Sequence, residues 1–192
     1  MATTSIGAPG VTFPDASVQT TSAVTSVNGK GPGVVQSVII ASTVVPSTSG
    51  TSINFTSIPS WVKRITVMFS GVSLSATAHF LLQVGTGGTP TSTGYVSSSL
   101  SISSAGAPNT TSTSGFVFYN GNATEALSGN ITITNITGNT WVASGNLAST
   151  AGQVTVSVGG GTVALGGVLN ILRITTTSTD TFDLGSINIL YE

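Results

Sequence analysis

The chain has 192 residues, 39% of them hydrophobic, which is enough for one domain with a real core. Only 5% are charged, four Lys and Arg against five Asp and Glu, where an ordinary globular chain carries roughly 25%. Such a surface has no clustered cations to neutralise nucleic-acid phosphates or hold an anionic membrane, and its balance is the reverse of a disordered chain.

Cysteine is absent, so disulfides and thiol chemistry play no part. The N-terminal MATTSIGAPG has neither a basic region nor an apolar run, and no secretory signal is expected there. The longest apolar stretch, VALGGVLNIL at 163–172, falls far short of the ~20 residues of a spanning helix. An outer-membrane barrel should carry aromatic girdles, and aromatics make up 6%. No membrane insertion is expected.

Residues 1–33 hold Pro9, Pro14 and Pro32, scattered Gly and no run of core-forming residues. They predict an extended arm that orders against a partner, with a disordered tail as the alternative. From 34 onward the pattern changes to period 2, the signature of strands. In 61–69, Trp61, Ile65, Val67 and Phe69 share one face, while Arg64, Thr66 and Ser70 share the other. Segment 80–84 sets Phe80, Leu82 and Val84 together. Both faces of 168–176 carry apolar residues, Val168, Leu172 and Ile174 against Leu169 and Ile171. The last stretch puts Ile187, Ile189 and Tyr191 on one side and Phe182, Leu184 and Leu190 on the other. Further runs rich in Val, Ile, Thr and aromatics lie at 34–45, 94–103, 114–119, 130–136, 140–148 and 153–158.

Turn signals separate these runs at 85–90, 106–109, 120–122, 128–130, 137–139 and 159–161, each holding Gly or Asn able to take positive φ. Short strands at roughly 8–12-residue spacing predict an all-β chain: an antiparallel β-sandwich or jelly-roll-like domain over 34–192, preceded by the extended N-terminal arm over 1–33. Lys, the usual guard of sheet edges, is nearly missing, and ITITNI and QVTVSV are sticky windows. The edges are therefore expected to be covered by copies of the same chain.

Candidate chemistry is sparse. His79 is the single histidine, which rules out multi-His metal sites; a structural or interface role is expected of it. Asp180 and Asp183 form the one close carboxylate pair, and TSTDTFDLG reads as a turn in which Asp bonds backbone amides rather than as a glycosidase dyad. GTGG at 85–88 and GGG at 159–161 lack the following helix and Lys-Ser/Thr of a phosphate loop and read as hairpin tips. The sequons at Asn54, Asn109, Asn122, Asn130 and Asn135 are what an Asn-, Ser- and Thr-rich chain gives by chance. No catalytic residues, metal or cofactor are expected, and the chain reads as a non-enzyme. Aromatics flanked by neutral polar groups suit sugar recognition, and Tyr119, in FYNGN, is the best surface candidate. Trp61, after Pro59 at the head of a patterned strand, reads as core or interface.

Three stretches carry a resemblance. GVTFPDASVQTT at 10–21, with Ala16 where Gly is usual, and VTSVNGKGPGVV at 24–35 resemble the N-terminal segment and linker of tailed-bacteriophage tail-fibre and related virion-fibre proteins. IPSWVKRITVMFSGVS at 58–73, TGNTWVASG at 137–145 and ILRITTTSTDTFDLGSINILYE at 171–192 resemble a recurrent C-terminal fibre domain. The resemblance implies a homotrimeric fibre of the virion, assembled in the bacterial cytoplasm and exposed on the particle. It would attach to another virion protein through its arm, with Val11, Phe13, Pro14 and Asp15 as contacts. The distal domain would meet host surface polysaccharide, with Tyr119, Asn120, Asn122 and Tyr95 as receptor-binding candidates. No shaft of repeats follows residue 33. A tail fibre and a capsid decoration protein (a head fibre or cement protein) both remain open.

Overall fold

The computed structural model describes residues 39–192, except 105, 150 and 153, and the backbone of three short segments before them. The chain divides into two units, Met1–Val38 and Ile39–Glu192, rather than after residue 33. In the first unit β1 (Ser5–Gly7), β2 (Gly10–Thr12) and β3 (Val18–Gln19) pair antiparallel in that order. The rest of the expected arm lies outside the described residues.

The second unit is all-β and antiparallel, as the period-2 pattern predicts. Nine strands form the larger sheet: β4 (Ile40–Ala41), β5 (Val45–Pro46), β7 (Arg64–Leu74), β10 (Val96–Ser103), β11 (Asn109–Ser112), β13 (Leu127–Thr137), β14 (Thr140–Ser149), β15 (Thr155–Ala164) and β17 (Phe182–Tyr191). Their order is β11-β10-β15-β14-β13-β7-β17-β4, with β5 also on β17. The smaller sheet holds β6 (Ser52–Thr56), β8 (Phe80–Thr86), β9 (Thr89–Pro90), β12 (Phe116–Phe118) and β16 (Leu169–Thr176), ordered β12-β8-β16-β6 with β9 on β8. One apolar cluster joins the sheets into a sandwich. Ile65, Val67, Phe69, Ile131, Ile133 and Ile189 of the large sheet meet Phe80, Leu82, Val84, Leu172, Ile174 and Phe55 of the small one. Burying each such side chain contributes about 1.5–3 kcal/mol.

The first described segment of this unit works as an interrupted edge strand. Ile40 and Ala41 pair with Tyr191 and Leu190, and Val45 and Pro46 with Ile187 and Ser186. Between and beyond them the Ser42 and Ser47 amides donate to the Ile189 and Gly185 carbonyls, both at 2.9 Å, and the buried Ser47 hydroxyl donates to the Leu184 carbonyl. Strand registers place Ile40 at the same end as Arg64, Thr134 and Tyr191. This is the near end; Leu74, Leu127, Ser149, Thr176 and Phe182 mark the far end.

Several sequence expectations are corrected by bulges. SGN at 128–130 is no turn but part of β13, where the ladder slips between Leu127 and Gly129. Gly129 has φ +149°, and a Cβ there would lie 2.3 Å from the Asn146 carbonyl oxygen, so the bulge needs glycine. GGG at 159–161 is no hairpin tip either. It lies within β15, where a Cβ on Gly161 would meet the Val96 carbonyl oxygen at 2.4 Å. Phe182, expected opposite Ile187, is buried with it, because register shifts between Phe182 and Ser186 reverse the alternation. β6 and β11 were not among the expected strands. Trp61 precedes β7 instead of starting it and stays 48% exposed.

The corner between the sheets is closed by serines. Ser97 Oγ of β10 accepts the Val117 N–H of β12 at 3.0 Å, and Ser99 Oγ accepts the Tyr119 N–H at 3.0 Å. Both hydroxyls donate back across the large sheet, to the Gly160 and Val158 carbonyls. The free edge of β12 thus ends on side chains of the other sheet, and the buried inward face of β10 is polar for that reason.

Candidate functional site

At the far end three loops are tied into one platform. The β7–β8 loop over 75–79 receives 177–181: Ser75 N–H donates to the Thr181 carbonyl, Thr177 N–H to the His79 carbonyl, and His79 N–H to Thr177 Oγ1. Asp180 Oδ2 accepts the Ala78 N–H at 2.8 Å while its Oδ1 accepts the Ser178 hydroxyl. Asp183 accepts the Ser73 hydroxyl. The carboxylate pair that the sequence offers is thereby engaged in holding loops, in the manner its turn-like sequence suggests.

The third loop, after β12, brings Tyr119, Asn120 and Asn122. Asn120 is 1% exposed and its Nδ2 donates to the carbonyls of Ala76 and Ala78, pinning this loop on the first. Glu125, equally buried, accepts the Gly121 N–H at 3.0 Å through Oε2. A Cβ on Gly121 would lie 2.7 Å from Glu125 Oε1, so a larger residue there would displace that carboxylate. Asn122 Oδ1 accepts the Thr124 N–H and hydroxyl, an Asx turn. The Tyr119 ring, half-buried, stacks on His79 at 4.4 Å and 30°.

His79 supports this loop through Nδ1, which accepts the Asn120 N–H at 3.2 Å and lies 3.0 Å from the Asn120 carbonyl oxygen. Burial lowers its pKa from the ordinary 6.5, opposed by the Asn120 backbone contact. The folded state therefore binds fewer protons than the unfolded chain below about pH 6.5, and stability falls as pH drops toward the lowered folded value. We expect His79→Gln to flatten the decline in Tm between roughly pH 7 and roughly pH 5. Thermal unfolding of both proteins across that range checks it, and parallel curves would mean that His79 does not set the slope.

The predicted receptor residues divide. Tyr119 and Asn122 sit together at the far end and are partly exposed. Asn120 is beside them, but its buried side chain is a structural strut. Tyr95 is corrected outright: it stands at the near end, before β10, and is 1% exposed. Its ring packs edge-on against Phe116 at 5.0 Å; its hydroxyl donates to the Val84 carbonyl and accepts the Val84 N–H at 2.8 Å. Burial pushes that hydroxyl well above its usual pKa. Of the attachment candidates, Val11 lies in β2, opposite Ile6 and Gln19; Phe13, Pro14 and Asp15 lie outside the described residues.

Sequence reasoning missed Glu125 as the closing post of the Tyr119 loop; a lone carboxylate in a stretch without other charges was the available signal. It also missed that Trp61 pairs with Tyr191 at 5.9 Å at the near end, beside the Arg64–Glu192 ion pair. Among the described residues no three His, Asp or Glu side chains are grouped to hold a metal, and no helix is long and apolar enough to cross a membrane. No protein family matches the chain, and comparison with curated proteins and with solved structures finds no significant match. What the fold defines is an antiparallel all-β sandwich with a braced loop platform opposite the end at which its first strand begins.

Proposed function

We propose that the protein is a structural component of a tailed-phage virion, a short homotrimeric tail fibre that adheres to the host surface through its far-end loops. The fibre-like sequence stretches motivate the reading. The observation that supports it is the placement of Ile39 and the Tyr119 loop at opposite ends of the sandwich. A domain held through its preceding residues presents Tyr119 and Asn122 away from the particle. A ring that stacks on apolar sugar faces, beside a neutral amide, suits host polysaccharide, and three copies would add their weak contacts at millimolar effective concentration. Arm contacts with another virion protein and the absence of catalysis belong to the same proposal.

Purified protein should bind host cells and compete with phage adsorption. Tyr119→Ala with Asn122→Ala should weaken that binding by at least about tenfold, with native circular dichroism and a modest fall in Tm from the lost His79 stack and Asx turn. Unaltered cell binding by the double variant removes the platform from the reading. No shaft of repeats lies between residue 33 and the sandwich, which favours a second reading, capsid decoration. In that case purified protein leaves adsorption unaffected, and deleting residues 1–33 lowers particle stability.

A further inference from the structure

Strands β10 and β15 are built inside out. Over Val96–Ser103 and Thr155–Val158 their inward residues are Ser97, Ser99, Ser101, Thr155 and Ser157, all buried, and β15 turns an apolar residue inward again only at Val163. Outward stand Val96, Leu100 and Ile102 on β10, with Val156 and Val158 on β15 and Val154 just before it. Val96 and Val154 are 72% and 68% exposed. The register makes this one surface, because Leu100 pairs with Val158 and Ile102 with Val156. Where Ser98 meets Gly160 the floor is low, and a groove of about 930 Å3 opens between β15 and β11. Elsewhere the same side of the sheet is mixed, with Thr132, Thr134, Thr66 and Asn188 at outward positions beside the partly exposed Val142, Met68 and Leu190. Contiguous exposed apolar area of this kind marks an interaction site.

Charge narrows the occupant. Between residues 65 and 172 the sequence has one charged side chain, Glu125, and it is buried. A charged partner would lose hydration here and find no counter-charge. The chain itself supplies an apolar counterpart whose charges, Asp183 and the Arg64–Glu192 pair, stand at its two ends. Ile39, Val44 and Leu184, each more than half exposed, stand beside the edge formed by β4, β5 and β17. Sheet order sets that edge at the opposite limit of the nine-stranded sheet from β10 and β15. Two different patches on opposite flanks make a head-to-tail contact, which closes into a ring when its rotation allows.

We propose that the outward face of β10 and β15 in one copy receives the Ile39–Val44–Leu184 edge of the next, so that the protein self-assembles as a cyclic, head-to-tail oligomer. The inference rests on the self-association proposed above and adds its surfaces. Light scattering after size exclusion, on the full chain, tests both. The native chain should be oligomeric. Ile102→Glu with Val158→Glu (face) and Val44→Glu (edge) should each give the 19.0 kDa monomer, with native circular dichroism. Mixed one to one, the two variants should form a dimer, because each keeps the patch that the other lacks. If the glutamates prevent folding, Ile102→Thr with Val158→Thr replaces the face variant and should weaken assembly at least about tenfold. A monomeric native chain overturns self-association altogether. An oligomer that the face variant leaves intact overturns this surface alone, and one that survives Val44→Glu overturns the head-to-tail pairing.

Discussion

Phe80→Ala should cost the sandwich about 3–5 kcal/mol, a large part of the 5–15 kcal/mol that holds a typical domain folded. Phe80 has no exposed surface, and its ring meets Phe69 edge-on at 5.5 Å and Phe182 at 6.2 Å. It is thus a small-sheet residue whose neighbours belong to two adjacent strands of the large sheet. Removing the ring deletes apolar burial, leaves a cavity between two layers and loses both aromatic contacts. Denaturant unfolding at fixed protein concentration should show the midpoint fall with little change in slope. Phe80→Leu should lose less, since it keeps most of the volume. A loss below about 1 kcal/mol for the alanine variant would mean that the layers are not coupled through this ring.

The second large effect is expected at polar groups. Ser97→Ala with Ser99→Ala strips the buried Val117 amide and the part-buried Tyr119 amide of their acceptors. Each orphaned donor costs about 1–3 kcal/mol, so the double variant should lose about 2–6 kcal/mol. The removed hydroxyls are buried and nothing else in β12 can replace them. Ser144→Ala, on the exposed face of the same sheet, is the control and should stay within about 0.5 kcal/mol. Equal stability of the double variant and the control would mean that the corner of the sandwich is closed by apolar contact alone. Amide hydrogen exchange offers a sharper view, since Val117 and Tyr119 should lose protection selectively.

Much of this fold is legible in the sequence because the alternation of apolar side chains is long and regular where two sheets face each other. Phe80, Leu82 and Val84 are read correctly from spacing alone, as are the turns around Gly87–Gly88 and Gly138. The pattern misleads wherever one residue is inserted. Phe182 falls on the wrong side until the slips around Gly185 are known, and Gly129 imitates a turn while sitting in a bulge. β10 defeats periodicity for another reason: its inward serines satisfy backbone amides rather than fill a core, so hydrophobicity points the wrong way. The candidate site is half legible. Tyr119 and Asn122 follow from aromatic and amide residues beside a turn, whereas the burial of Tyr95 and Asn120 depends on partners remote in sequence. Val84 is 11 residues from Tyr95, while Ala76 and Ala78 lie 44 and 42 from Asn120.

The segment from Ile39 to Ser47 lies antiparallel along β17, held at Ile40, Ala41, Ser42, Val45, Pro46 and Ser47. A pull on the residues before Ile39, against resistance at the Tyr119 loop, is directed along these strands. Its hydrogen bonds are then sheared together rather than peeled one after another. Under sustained tension the survival of such a joint is a matter of unfolding rate rather than equilibrium stability. A fibre tethered this way would carry mechanical load through its first and last strands, while the braced far-end loops bear the contact.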